Sequence, residues 1–549
     1  MKTITRAVCL GTFVPMACLA GAHGPNSTVQ NPDVPIFDDL GNHHRPITTN
    51  SEKAQAYFDQ GLRLIYGFNH EEAVLAFKEG LKHDPACAML HWGIAAAKGP
   101  NYNLGMDEAM RKASYESSRK ALELQSGATE KERELIHAMA LRYVEDSHAE
   151  RRPLDEAYSA AMRKLATTYP DDDDILTLYA ESLMNLRPWQ LWTRDGKPEP
   201  GTPDILKALE TVLERNPNHP GANHFYIHAT EASLNPEKAL PSADRLGALM
   251  PGAGHMVHMP AHVYIRVGQY EKAIDVNVLA ADVDRAYIKF RNPQNSPYPV
   301  MYFSHNIHFI WACAAIEGRS KLALSAARDL DAVVPHGLVR QMPMAEFGPP
   351  TPYFALVRFG RWKEMLAEPE PSEGLDFTKG MWHYGRGMAF GGLKKLDEAE
   401  REAAALAEIR DATPEDQPVN LNTAKSLLSI AHSVLSGDIE RRRGNLNIAI
   451  HHFEKAVELN DRQNYEEPPT WYQPARQFLG AALLEANRPA DAEAVYREDL
   501  RRNPKNGWSL FGLMQSLQAQ KKRAEANEVK KAFKEAWARA DVRLKASRF

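Results

Sequence analysis

The chain has 549 residues, of which 44% are hydrophobic and 25% are charged, and its formal net charge is −5. This composition is typical of a folded protein and excludes an intrinsically disordered chain. The mild negative charge provides no broad basic surface, so we expect no binding to nucleic acids.

The N-terminus predicts a secretory signal peptide over residues 1–22. Lys2 and Arg6 precede an apolar stretch from Ala7 to Leu19, and Ala20-Gly21-Ala22 provides a cleavage site of small residues. We therefore expect secretion across the inner membrane of a bacterium into the periplasm. No later apolar run reaches the roughly eighteen residues of a spanning helix, so we predict no transmembrane segment.

The four cysteines divide between the signal peptide and the mature chain. Cys9 and Cys18 lie in the predicted signal peptide, and Cys87 and Cys313 lie far apart beyond it. Lipid attachment at Cys18 is a less favoured alternative, because Pro15-Met16-Ala17 before it fits a lipobox poorly. Two cysteines form no disulfide framework, and we expect small buried side chains unless the fold brings them together.

An internal repeat organises the chain beyond the signal peptide. A glycine is followed by alanine after 12 residues, by an aromatic residue after 16 and by proline after 24. The same offsets occur in two distant segments: Gly61, Ala73, Phe77 and Pro85, and Gly480, Ala492, Tyr496 and Pro504. This pattern resembles the tetratricopeptide repeat, in which each unit is a helix hairpin. The resemblance implies an all-α superhelical solenoid of roughly ten to twelve hairpins.

The repeats suggest a division of the mature chain into four segments. We expect an extended lead-in at 23–50, N-terminal repeats at 51–216, central histidine-rich repeats at 217–335 and C-terminal repeats at 336–549. We expect His43-His44 in the lead-in to be exposed. Stretches with proline and aromatic residues predict loops that fold over the solenoid groove at 187–203, 292–299, 341–352 and 466–474.

Histidines concentrate in the central segment, where eight of the 21 lie between His219 and His308. Three successive repeats can be aligned by placing Ala239, Ala273 and Ala323 at position 20. Seven histidines then fall at positions 2, 5 and 9 of the first helix: His224 and His228 at 5 and 9, His255, His258 and His262 at 2, 5 and 9, and His305 and His308 at 2 and 5. Spacings of three and four residues place side chains on one helix face.

The repeat resemblance implies that these positions line the concave groove, where ligands bind. Neutral imidazole is a common ligand of copper, zinc and iron. We therefore predict that the groove binds a transition-metal ion through this histidine cluster, in a binding or an oxidative role. Three or four histidines suffice for one ion, which leaves the others for a second ion or a substrate. Glu231, at position 12, is a candidate ligand or the partner that fixes a histidine tautomer.

Two alternatives stay open at this point. The patch can bind a polar or anionic ligand directly, with donors from Arg266, Asn306, Tyr226, Tyr264 and Tyr302. The solenoid can also be a non-enzymatic scaffold that holds a peptide or protein partner in its groove. Phosphate-loop, serine-elbow, His-Glu-x-x-His and Cys-x-x-Cys motifs are absent from the sequence, so no enzyme class follows from it.

Several segments carry a closer resemblance to a group of exported bacterial tetratricopeptide proteins with a histidine-rich centre. They are His91-Trp92-Gly93, Gly99-Pro100-Asn101, the run from His255 to His262, His305-Asn306-x-His308-Phe309 and Pro468-Pro469-x-Trp471-Tyr472. The resemblance implies the same fold over most of the mature chain, and it brings no reaction with it.

Overall fold

The computed structural model of the protein describes Thr28, Val29 and residues 33–294, 296 and 298–549. The predicted signal peptide lies outside these described residues. Within them the α-helices are α1 (Glu52–Tyr66), α2 (His70–His83), α3 (Ala88–Lys98), α4 (Glu108–Leu124), α5 (Glu130–Leu141), α6 (Arg151–Thr168), α7 (Asp173–Met184), α8 (Thr202–Arg215), α9 (Pro220–Glu231), α10 (Leu240–Leu249), α11 (Gly254–His258), α12 (Pro260–Arg266), α13 (Tyr270–Arg291), α14 (Ser304–Ile316), α15 (Ser320–Val333), α16 (His336–Val339), α17 (Thr351–Arg358), α18 (Trp362–Ala367), α19 (Asp376–Gly392), α20 (Leu396–Ala412), α21 (Ala424–Arg442), α22 (Leu446–Asp461), α23 (Ala475–Glu485), α24 (Pro489–Arg502), α25 (Gly507–Ala519) and α26 (Arg523–Ala536).

Strands are few and short in the described part of the chain. β1 (Thr28–Val29) pairs antiparallel with β2 (Pro293–Gln294), and β3 (Pro418–Val419) pairs antiparallel with β4 (Asn422–Thr423). The prediction of an all-α fold is therefore confirmed. Among the described helices, none is both long and apolar enough to cross a membrane.

Consecutive helices pack as hairpins, and their glycines meet large aromatic side chains. A Cβ atom on Gly61 of α1 or on Gly93 of α3 would lie about 2.5 Å from the Phe77 ring of α2. The C-terminal repeats have the same arrangement, because Gly480 and Gly512 both face the Tyr496 ring. Each aromatic side chain thus fills the space that two glycines leave between neighbouring helices. This is the packing that the repeat offsets predict, and the fold is a tetratricopeptide-like helical solenoid.

We expect Gly61→Ala to lower the free energy of unfolding by about 1–3 kcal/mol, because the added methyl group overlaps the Phe77 ring. The higher helix propensity of alanine offsets about 1 kcal/mol of this loss. Denaturant unfolding measures the change. Gly127→Ala is the matched control, since no atom lies within 4 Å of its Cβ position. Equal stability of the two variants would contradict the packing role of Gly61.

The lead-in is fixed to the solenoid by a buried carboxylate. Asp174, at the start of α7, accepts hydrogen bonds from Tyr66 at 2.6 Å and from Arg45 at 3.1 Å. The imidazoles of His43 and His219 also contact its Oδ1 atom, at 2.9 and 3.2 Å. The prediction that His43 is exposed is therefore wrong, because the lead-in returns to this carboxylate and His43 becomes largely buried.

The C-terminal repeats pack back on the central ones. The indole Nε1 atom of Trp508 in α25 donates to the carbonyl oxygen of Ala315 in α14 at 3.0 Å. The hydroxyl group of Tyr270 in α13 donates to the carbonyl oxygen of Pro504 at 2.8 Å. Contacts therefore join repeats that are far apart in the sequence, in addition to adjacent ones. Cys87 and Cys313 are both buried and form no disulfide bond with each other.

Candidate metal centre

The histidine-rich centre is built by α9, α11, α12 and α14, from three successive hairpins. Pro220 and Pro260 lie in the first turns of α9 and α12, where a missing N–H group costs no hydrogen bond. Six of the seven predicted histidines form two groups of three. We call His224, His228 and His255 the first triad, and His258, His262 and His305 the second triad. Five of these side chains are at least 96% buried, and His305 is partly exposed.

In the second triad the Nε2 atoms point toward one another. The Nε2 atom of His262 lies 2.9 Å from that of His258 and 3.5 Å from that of His305. Nitrogen ligands of a tetrahedral ion with bonds of about 2.0–2.1 Å are about 3.3 Å apart. The spacing of these three nitrogens therefore suits a single ion.

The first triad has the same composition and a wider spacing. The Nε2 atoms of His224 and His255 are 3.1 Å apart. The ring centroid of His228 lies 4.9 Å from that of His224 and 6.2 Å from that of His255. One candidate ligand atom from each residue lies within 4.8 Å of the others, so a small inward movement of the rings would enclose an ion.

The innermost histidine of each triad is held by its Nδ1 atom. His224 donates to the carbonyl oxygen of Tyr66 at 2.6 Å, and His258 donates to the Oδ1 atom of Asn277 at 2.7 Å. The amide nitrogen of Asn277 donates to Ala273, which fixes the orientation of the amide. A proton on Nδ1 leaves a lone pair on Nε2, and this is the form of histidine that binds a metal ion.

Glu231 contacts one histidine of each triad. Its Oε1 atom lies 3.2 Å from Nδ1 of His228, and its Oε2 atom lies 2.9 Å from Nδ1 of His262. Glu467, from the loop before α23, approaches the same Nδ1 atom of His262 to 3.3 Å. His228 forms a hydrogen bond with Glu231, which fixes its Nδ1 atom, whereas Nδ1 of His262 lies in close charge contact with both carboxylates.

Burial and the two carboxylates set the protonation of the centre. Burial lowers the pKa of five histidines, which are therefore neutral at pH 7: His224, His228, His255, His258 and His305. Burial also acts to lower the pKa of His262, but Glu231 and Glu467 outweigh it and raise that pKa to about 10.

The pKa values of Glu231 and Glu467 differ. Burial alone would raise the pKa of Glu231, but the interactions with His228 and His262 outweigh it and lower the pKa to about 2. Burial raises the pKa of Glu467 to about 7, against the attraction of His262. At neutral pH Glu231 is therefore ionised and Glu467 is partly ionised, beside the charged imidazole of His262.

A cavity of about 110 Å³ lies beside both triads. A water molecule needs about 10–15 Å³ by this measure, so the cavity has room for a small molecule. Two histidines of each triad line it: His228, His255, His262 and His305. The rest of the wall is largely apolar and includes Trp189, Val300, Met301, Met342, Met344 and Phe347.

The segments predicted as loops supply much of this wall. Trp189 belongs to the 187–203 stretch, Met342 and Met344 to the 341–352 stretch, and Glu467 to the 466–474 stretch. These segments thus form part of the wall of the cavity that the histidines face. Glu467 and Asn277 are the contacts that sequence reasoning missed, because neither has a local pattern that distinguishes it from an ordinary polar residue.

His308, the seventh predicted ligand, lies apart from both triads. Its ring packs against Phe347 and Trp311, with centroid distances of 5.2 and 6.5 Å. Burial lowers the pKa of His308 to about 3, so the side chain is a neutral part of the core.

The predicted polar donors are mostly directed away from the cavity. Tyr302 lines it, and its ring centroid lies 4.9 Å from that of His255. The other four donors have partners elsewhere: Tyr226 donates to Glu210, Tyr264 to Asp244, Arg266 to the carbonyl oxygen of Ser233 and Asn306 to Asp284. The structure therefore brings Tyr302 and Glu231 to the centre, and not the other four residues.

His43, Asp174 and His219 also place potential ligand atoms within 4.8 Å of one another. The Nδ1 atom of His219 accepts from the backbone N–H of Ala222 at 3.1 Å, so its Nε2 atom bears the proton and donates to Asp174. The carboxylate of Asp174 is also the acceptor for Tyr66. Hydrogen bonds account for this group, and we assign it to the anchoring of the lead-in.

No protein-family model matches this chain, and no curated protein matches it. Among solved structures, the human IFIT1 dimer with m7Gppp-AAAA is similar at 13% identity over 97% of this chain and 96% of that chain, with a TM-score of 0.34. Yeast Tom70 is similar at 10% identity over 87% and 90% of the two chains, with a TM-score of 0.28. The APC/C hetero-tetramer Cut9–Hcn1 is similar at 13% identity over 90% of this chain and 78% of that chain, with a TM-score of 0.28.

Proposed function

We propose that this protein binds a transition-metal ion, copper, zinc or iron, through its buried histidine cluster. The main support is the pair of Nε2 atoms of His258 and His262, which face each other at 2.9 Å. The Nδ1 atom of His258 donates to Asn277, so the Nε2 atom of His258 directs its lone pair at the Nε2 atom of His262. Two imidazole nitrogens at this distance either share a proton or bind a common metal ion. In the metal-free protein a proton on His262 has this role, and a metal ion replaces it.

The donor set and the cavity together fit a metal centre with an open position. Three imidazoles bind zinc or copper and leave at least one coordination position free. His262 and His305 lie on the cavity wall, so a small molecule in the cavity reaches the ion. Metal-dependent chemistry, including oxidation, is compatible with this arrangement. We also propose export, as the N-terminal residues 1–22 predict.

The alternatives fit the contacts less well. A peptide in an open groove would not touch these histidines, because five of them are at least 96% buried. A direct anion site would need uncompensated positive charge, whereas five histidines of the cluster have lowered pKa values and the charged ring of His262 lies beside the ionised Glu231. A partner protein at another surface of the solenoid is compatible with a metal centre inside it.

Elemental analysis by plasma mass spectrometry tests the proposal on untagged protein purified from the periplasm. We expect at least one equivalent of metal in the parent and a loss of metal in the His258→Ala, His262→Ala double variant. The matched control is the His451→Ala, His452→Ala double variant, which removes two neighbouring histidines of α22. A parent that contains no metal and takes up none from added copper, zinc or iron would overturn the proposal and favour a scaffold role.

A further inference from the structure

We infer that the centre is dinuclear: two successive repeat junctions each build one three-histidine site, and the two ions share one cavity. This inference rests on the proposed metal-binding function and goes beyond it in the number and placement of the ions. The observations that support it are the repeat register of the histidines, the matching construction of the triads and the carboxylate between them.

The repeat register generates the same ligand set twice. In the alignment on Ala239, Ala273 and Ala323, each triad takes positions 5 and 9 of one repeat and position 2 of the next. The first triad is His224, His228 and His255, and the second triad, one repeat later, is His258, His262 and His305. Each repeat of a solenoid packs on its neighbours, so the two triads occupy corresponding places at successive repeat junctions.

The two triads also share their internal construction. The position-5 histidine lies at the back of each site, with its Nδ1 atom on a fixed oxygen acceptor, Tyr66 for His224 and Asn277 for His258. The histidines at positions 9 and 2 line the cavity in both triads. Each site therefore has one anchored ligand and two ligands that face the same cavity.

Glu231 connects the two sites. Its two carboxylate oxygens contact the position-9 histidines of both triads, His228 at 3.2 Å and His262 at 2.9 Å. The ring centroids of these histidines are 5.6 Å apart, so ions bound on their Nε2 sides are neighbours. The carboxylate also provides negative charge that offsets part of the charge of two cations in a buried place.

The same register explains why the series ends after two sites. His308 takes position 5 of the third repeat, but position 9 of that repeat is Ala312. His308 packs against aromatic rings instead of joining a third triad. This residue is therefore a matched control for the experiments below, because it belongs to the same histidine series and to neither site.

The number of ions bound by the full mature protein tests the inference. Protein stripped of metal with a chelator is loaded with zinc, passed through a desalting column and analysed by plasma mass spectrometry. We expect two equivalents of zinc in the parent and two in His308→Ala. The first-triad double variant combines His224→Ala with His255→Ala, and the second-triad double variant combines His258→Ala with His305→Ala. We expect one equivalent in each of these double variants. Circular dichroism verifies that each variant is folded. If a double variant does not fold, a single variant of the same triad takes its place: His255→Asn for the first triad and His305→Asn for the second.

The outcomes separate this inference from the proposed function. One equivalent in the parent, lost from the variants of one triad and retained by those of the other, would overturn the dinuclear centre and leave a single metal site. If the parent binds no zinc, and also binds no copper or iron when it is loaded with those metals, both proposals are overturned.

Loading with Cu(II) tests whether the two ions are neighbours. Electron paramagnetic resonance of the parent is expected to show a spin-coupled pair, as a half-field transition or as a spin count well below two per protein. Each double variant is expected to show one uncoupled Cu(II) signal. A full, uncoupled count of two spins in the parent would place the ions far apart and overturn the shared centre.

Discussion

Asp174→Ala is expected to lower the free energy of unfolding by about 1–3 kcal/mol, since it removes a buried hydrogen-bond acceptor while Arg45 keeps its contact with Asp172 at 2.9 Å. Arg45, 7% exposed, loses its contact at 3.1 Å, and Tyr66 and His219 lose their acceptor. Urea unfolding monitored by circular dichroism measures the loss. Asp171→Ala is the control, because that side chain is 96% exposed and we expect a change below about 0.5 kcal/mol.

The effect of Asp174 should also depend on pH. Burial acts to raise the pKa of Asp174, but hydrogen bonds from His219 and His43 and the charge of Arg45 outweigh it and lower the pKa well below its ordinary range. A depressed carboxyl pKa stabilises the fold above the unfolded pKa, and this stabilisation is lost as the pH falls through the folded value. The stability difference between the parent and Asp174→Asn is therefore full at pH 7 and shrinks below about pH 4. A difference that grew in acid would contradict the ionised state.

Glu231→Ala is expected to weaken metal binding by about 10–100-fold at each of the two histidine sites, the usual cost of removing a partner that orients a ligand. The carboxylate holds the Nδ1 atoms of His228 and His262, so its loss frees both rings to rotate or to change tautomer. Competition titration with a chromophoric chelator measures the two affinities.

Glu237→Ala is the control for this prediction, because Glu237 is an exposed acid only six residues further along the chain. Glu231→Gln adds a second test, since its amide oxygen can accept a hydrogen bond from only one of the two imidazoles. We expect this variant to weaken one site more than the other. Unchanged affinities in Glu231→Ala would show that the carboxylate has no positioning role.

The fold could be predicted from the sequence because its packing depends on local offsets. Gly61, Ala73 and Phe77 are fixed relative to one another by helix geometry, and the Phe77 ring lies against Gly61 as the offsets imply. The lead-in could not be predicted in the same way. His43 has no local partner, and its contact with Asp174 is formed across more than a hundred residues.

The residues of the candidate site also fall into those that local patterns predict and those that distant parts of the chain contribute. The histidine register, a property of neighbouring repeats, is enough to bring six of the seven predicted histidines together. The two carboxylates differ: Glu231 lies on the same helix as His228, whereas Glu467 arrives from a loop some two hundred residues away. Tyr226 of α9 donates a hydrogen bond to Glu210, and Tyr264 of α12 donates one to Asp244. The repeat alignment alone does not identify these acceptors.

The last repeats pack against the central ones, and this contact should change how the solenoid unfolds. An open array unravels from its ends, one repeat after another, because each unit touches only its neighbours. Here, opening α25 and the turn before it also breaks the Trp508–Ala315 and Tyr270–Pro504 hydrogen bonds. Fraying of the C-terminus is thereby coupled to the hairpins that bear His262 and His305. The protein should therefore melt as one cooperative unit, and the slowest hydrogen exchange should occur around the histidine centre and not at one end of the array.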